Sequence, residues 1–102
     1  MRTKLVKFNA VDPQTKKAIE LEGRASEFFL DDEYRIPCFI HKRGPFYYVF
    51  ERETGLGISM KGERTMLEAV SHAKDVCLEH GGVKGMEEAV TRAIRSRGVI
   101  NP

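Results

Sequence analysis

The hydrophobic period of this chain changes once, and that change restricts what it can fold into. Up to about residue 60, apolar side chains recur at every second position in short runs, as in Val6, Phe8 and Ala10 or in Leu56, Ile58 and Met60. After Lys61-Gly62-Glu63-Arg64 the spacing becomes helical, and Met66, Ala69, Val70, Ala73, Val76 and Cys77 form one stripe. Period two puts alternate residues on one face of a strand, whereas a 3.6-residue period puts every third or fourth residue on one face of a helix. Strands followed by helices predict an α+β fold: an antiparallel sheet of four to five strands, then two C-terminal helices packed on one face. A chain of 102 residues suffices for one core, so we expect a single domain over 1–102.

The punctuation between runs supports this order. Residues 4–11 and 17–23 read as half-buried strands, the second carrying Ile19 and Leu21, and Asp12-Pro13 between them supplies turn chemistry. Phe28, Phe29 and Leu30 lead into the acidic turn Asp31-Asp32-Glu33, read as a solvated loop, and then into a strand around Ile36, Cys38 and Ile40. Pro37 cannot donate to a sheet ladder, which favours an edge strand or a strand end. Phe46 to Arg52 and Leu56 to Met60 form the clearest hairpin, turning around Glu53-Thr54-Gly55. Alternation puts Phe46, Tyr48 and Phe50 on one face, expected to lie beneath the first helix, and turns Tyr47 outward. Thr65 and Glu68 make a capping box at the start of the first helix, with Gly81 placed to terminate it. A shorter second helix carries Met86, Ala89, Val90, Ala93 and Ile94 inward and ends before Gly98.

Composition narrows the functional classes. Hydrophobic residues make up 41% and charged residues 31%, which excludes a disordered chain. No window approaches the ~20 apolar residues of a membrane span, and the N-terminus lacks a signal-peptide core, so a cytoplasmic protein is expected. Net charge is only +2, yet residues 41–64 carry five cations (Lys42, Arg43, Arg52, Lys61, Arg64) against three acids (Glu51, Glu53, Glu63).

Two C-x-x-H pairs, Cys38 with His41 and Cys77 with His80, supply the ligand types of tetrahedral zinc. A helix brings positions three apart together, but a regular strand points residues 38 and 41 to opposite faces. Buried, reduced thiols are therefore the expectation, with no metal and no cofactor. Ser59, Ser71 and Thr91 have no base that the spacing places beside them, and the adjacent acid pairs 31–32 and 87–88 point apart. The chain reads as a non-enzyme.

Nucleic acid is the sharper expectation. Lys42, Arg43, Arg52, Lys61 and Arg64 fall at turns, where flexible cations reach phosphates, while Phe39 and Tyr47, on the face away from the helices, offer stacking surfaces. Arg92, Arg95 and Arg97 on the last helix make a second patch. The alternative is a protein-interaction module, in which the Pro37 segment or the N-terminal strand pairs with a second copy or another protein.

From Arg35 to Glu79, YYVFERETGLGIS leads through Gly62 and Thr65 into MLEAVSHAKDV. This order of three strands and a helix resembles the arm-binding domains of phage-type integrases, whose three-stranded sheet enters a DNA groove. It also resembles HicB-like antitoxins, whose Gly-x-Thr-x-x-Glu-Ala run is matched, with one inserted residue, by Gly62 to Ala69. A third likeness is to double-stranded-RNA-binding domains, although Glu63, Arg64 and Thr65 stand where those carry paired lysines. The resemblances imply a small protein of phage or mobile-element type that contacts DNA or RNA or forms a homodimer.

Overall fold

The computed structural model describes residues 4–101; the inward position expected of the Met60 side chain lies outside what is described. Five strands, β1 (Leu5–Val11), β2 (Ala18–Phe29), β3 (Arg35–Arg43), β4 (Phe46–Glu51) and β5 (Gly57–Glu63), precede two helices, α1 (Met66–Glu79) and α2 (Gly82–Arg97). The strands form one antiparallel sheet in sequence order, and the helices pack against it, as the change of period predicts.

Each turn is held by side chains suited to it. The Asp12 carboxylate accepts from the amides of Gln14 (2.8 Å) and Thr15 (3.4 Å) between β1 and β2. Asp31 does the same between β2 and β3, accepting from the Glu33 and Tyr34 amides at 2.8 Å each. These two bonds hold its carboxyl below the ordinary carboxylate range. Glu51 organises the β4–β5 turn: its buried carboxylate accepts from the amides of Glu53 (2.8 Å) and Thr54 (2.9 Å) and from the Thr54 hydroxyl (2.7 Å).

Thr65 caps α1, its Oγ1 accepting from the Glu68 amide at 3.1 Å and donating to the Glu68 carboxylate at 3.0 Å. Helix α2, expected to be the shorter, is the longer of the two, 16 residues against 14; its first turn contains Gly82 and Gly85, poor helix formers that hide that turn from a sequence reading.

Alternation along β4 is as expected, but its two faces are exchanged. Val49, with Tyr47 partly buried beside it, faces α1, where Ile36, Cys38 and Ile40 meet Ala69, Ala73 and Cys77. Phe50 and Tyr48 lie on the opposite face, in a second cluster with Phe8, Ala10 and Phe39. The cause is size. The buried residues of α1 are two alanines and a cysteine, so the helix approaches closely and takes the smaller side of β4. The aromatic side needs a deeper layer, and β1 supplies it.

Strand β2 is shared between two pairings. From Arg24 to Phe29 it pairs with β3, and from Ala18 to Arg24 it pairs with β1. The junction is Gly23, where a Cβ would lie 2.7 Å from the Ile40 carbonyl oxygen and 2.8 Å from the Phe8 ring. Only a residue without a side chain lets the first hairpin fold so closely against the sheet. Phe8 then stacks on Phe39, with centroids 4.5 Å apart and planes at 12°, and tilts against Phe50 at 5.6 Å. At the far end of β1 the Val11 amide donates to the carbonyl of Gly55 at 2.9 Å. Gly55 has φ +69°, and a Cβ there would lie 2.6 Å from the Asn9 carbonyl oxygen.

Asn101 closes the same seam. Its Oδ1 accepts from the Asn9 amide (2.8 Å), and its Nδ2 donates to the carbonyls of Asn9 (2.7 Å) and Arg52 (2.8 Å). One side-chain amide thus pairs with β1 much as a strand residue does. It also answers for Pro37, expected on an edge strand or at a strand end: β3 is no edge strand, having neighbours on both sides, but Pro37 does lie near its start. Pro37 is tolerated because β4 ends opposite Cys38, just short of it. The Arg52 amide donates to the Pro37 carbonyl (3.0 Å), proline has no N–H to return, and Asn101 serves the Arg52 carbonyl instead.

Replacing Phe8 by alanine is expected to cost about 3–5 kcal/mol in urea unfolding, whereas Phe29→Ala, at a position 46% exposed, costs under about 1 kcal/mol. Asn101→Ala leaves the Asn9 and Arg52 groups unpaired and lowers stability by about 1–3 kcal/mol in the same assay.

Candidate nucleic-acid interface

The β3–β4 turn and the β5–α1 junction lie at the same end of the sheet, because Arg43 pairs with Phe46 and Tyr47 pairs with Glu63. This register puts Lys42, Arg43, Lys61 and Arg64 at one end of the sheet. The Lys42 ammonium sits over the Tyr47 ring, 5.5 Å from its centroid, and the Arg64 guanidinium over Phe46 at 5.6 Å. Such contacts contribute about 0.5–1 kcal/mol at exposed sites and hold the cations near aromatic faces.

The other expected contacts lie elsewhere. Arg52 is in the β4–β5 turn, at the opposite end of the strands, about 17 Å away along β4. Arg92 and Arg95 are exposed on α2, and Arg97 lies beside Val11, Pro13 and Lys16 near that opposite end. Tyr47 is half-buried on the helix side, not turned away from it. Phe39 does face away from the helices, but Phe8 covers it and leaves it 7% exposed, so it offers no surface for a base. The half-buried Phe46, beneath Arg64, takes its place on that face.

Sequence reasoning missed a groove. Beyond the pair Arg24–Ile40, β2 follows β1 and parts from β3. The gap is bridged by the His41 ring, whose Nδ1 lies 2.6 Å from the Glu22 carbonyl oxygen. The resulting groove, about 650 Å³, is walled by Tyr47 and Met66 and carries Lys7, Arg24 and Lys42 together with Glu20 and Glu22. Lys7 and Arg24 lie within strands, where turn-based reasoning does not look. The signal available was a long run of strand character with Gly23 in its middle.

The zinc-ligand types do not assemble. Cys38 and Cys77 share the helix-side core, His41 lies on the other face bonded to Glu22, and His80 caps α1 in solvent. No three His, Cys, Asp or Glu side chains come together as ligands among the described residues. Burial, assisted by Glu51 and Glu27, pushes the Cys38 thiol up to about 12, and burial also raises Cys77. Neither thiol is an available nucleophile at neutral pH.

Ser59 corrects another expectation, since the His72 Nδ1 lies 3.2 Å from its Oγ. The hydroxyl is fully buried, and it also lies 3.3 Å from the Lys61 carbonyl, to which it donates. The contact ties β5 to α1.

No family model, curated protein or solved structure matches the chain. Among the described residues no helix is long and apolar enough to cross a membrane.

The raised thiols carry a pH signature. Unfolded Cys38 ionises near its ordinary value of 9.0, whereas the folded thiol stays neutral to about 12, so its contribution to stability is complete below pH 9 and is lost as pH rises toward 12. The urea midpoint should fall between pH 9 and 11, and Cys38→Ala should fall less steeply over that range.

Proposed function

We propose that this protein is a non-enzymatic nucleic-acid-contacting protein that uses the end of the sheet where β3 turns into β4 and β5 passes into α1. The supporting observation is that Lys42, Arg43, Lys61 and Arg64 all lie at this end of the sheet, Lys42 over Tyr47 on the helix side and Arg64 over Phe46 on the other face. Long cationic side chains at turns neutralise phosphates without reading base edges, so this arrangement favours affinity over sequence selectivity. Arg92 and Arg95 form a separate, weaker patch on α2, and Arg52 belongs to the far end. The partner proposed is DNA or RNA of mixed sequence.

A second reading is a protein-interaction or dimerisation module. It is favoured by β5, a seven-residue strand at the edge of the sheet, and by Leu67, 81% exposed at the start of the adjacent helix. A strand edge of this length can pair with a second copy. Light scattering at micromolar concentration separates the readings: a stable dimer sensitive to Leu67→Lys supports the second.

Binding to a mixed-sequence oligonucleotide should weaken with salt at a slope of about −3 in log K against log salt, from four phosphate contacts at about −0.7 to −0.9 each. The double variant Arg43→Gln, Arg64→Gln should reduce that slope by about 1.5 and weaken all sequences alike. Absence of binding at low salt refutes the proposal.

A further inference from the structure

We infer that the groove between β2 and β3 receives a base of a single-stranded nucleic acid, so that the protein takes one unpaired strand in preference to a duplex. This rests on the nucleic-acid reading and specifies it. The groove is a recess in the sheet, created where β2 leaves β3 after Arg24–Ile40 and bridged by His41. Its volume of about 650 Å³ lies within the range that encloses a small organic ligand. An unstacked nucleotide fits such a space. A duplex keeps its bases inside and shows only groove edges and phosphates, so it cannot send a base into a recess without being opened.

The lining has the chemistry a single nucleotide needs. Tyr47 presents a half-buried ring along one wall, and base stacking on aromatic side chains tolerates every base because each has a π-face. The Lys42 ammonium lies over that ring, 5.5 Å from its centroid; a base that stacks there displaces this flexible side chain and leaves its charge beside the sugar-phosphate. Lys7 and Arg24 are the other cations of the recess, facing Glu20 and Glu22. Glu20 is already engaged, 3.8 Å from the Lys7 ammonium. Arg43, Lys61 and Arg64 stand at the same end of the sheet as Lys42, with Glu63 the acid among them, and this cationic excess attracts a phosphate backbone to that end. Past the last β2–β3 pair the two backbones have no cross-strand partner in each other, which leaves room for polar contacts to a base edge.

The test is fluorescence anisotropy at one low salt concentration with a labelled 12-nucleotide DNA, the same sequence as RNA, and the DNA annealed to its complement. Both single strands should bind at least tenfold more tightly than the duplex. Tyr47→Leu, which keeps the apolar packing but removes the stacking face, should weaken single-strand binding about tenfold, well beyond any loss in duplex binding. Tyr47→Phe should retain binding. Duplex binding equal to or tighter than single-strand binding, or an unaffected Tyr47→Leu variant, overturns the inference and leaves the broader function standing. No binding to any of the three overturns both.

Discussion

The contact between Phe8 and Phe39 is the one on which the upper layer of the fold depends. The two rings lie nearly parallel at 4.5 Å and bring β1 over the face of the sheet that the helices leave bare. Burying a side chain of this size contributes about 1.5–3 kcal/mol, and the ring pairing adds about 0.5–1.5 kcal/mol. A hairpin alone is marginal in water. The first hairpin becomes a stable layer because its ring enters the aromatic cluster, and the cluster is dry because the hairpin covers it.

The same bend has two products. On one side of the sheet it lays Phe8 and Ala10 onto Phe39 and Phe50. On the other it pulls residues 18–22 away from the end of β3 and opens the recess lined by Lys7, Arg24, Lys42 and Tyr47. Gly23 serves both, since any side chain there would strike the Ile40 carbonyl or the Phe8 ring. Packing and candidate site are therefore consequences of a single backbone position.

This explains what the sequence made legible. Turn residues and helix caps act within a few positions of themselves, so Asp12, Thr65 and the β3–β4 turn were readable, and so were the cations beside that turn. The period of two told which residues of β4 share a face, but it carries no information on which face meets the helices. That choice depends on Ala69, Ala73 and Cys77, which lie at least nineteen positions further along the chain than Phe50 and pack too closely for an aromatic layer. The exchange of faces moved Tyr47 from an outward platform to the wall of a groove and put Phe39 under Phe8. The groove itself was not readable, because it arises where one long strand changes partners.

The amide of Asn101 reaches Asn9 across 92 positions of sequence. During synthesis β1 emerges early, yet the group that satisfies its outer edge is made more than ninety residues later, several seconds at ordinary translation rates of about 5–20 residues per second. For that interval the Asn9 amide and carbonyl remain open to any neighbouring strand, so Asn101 also guards β1 against mispairing.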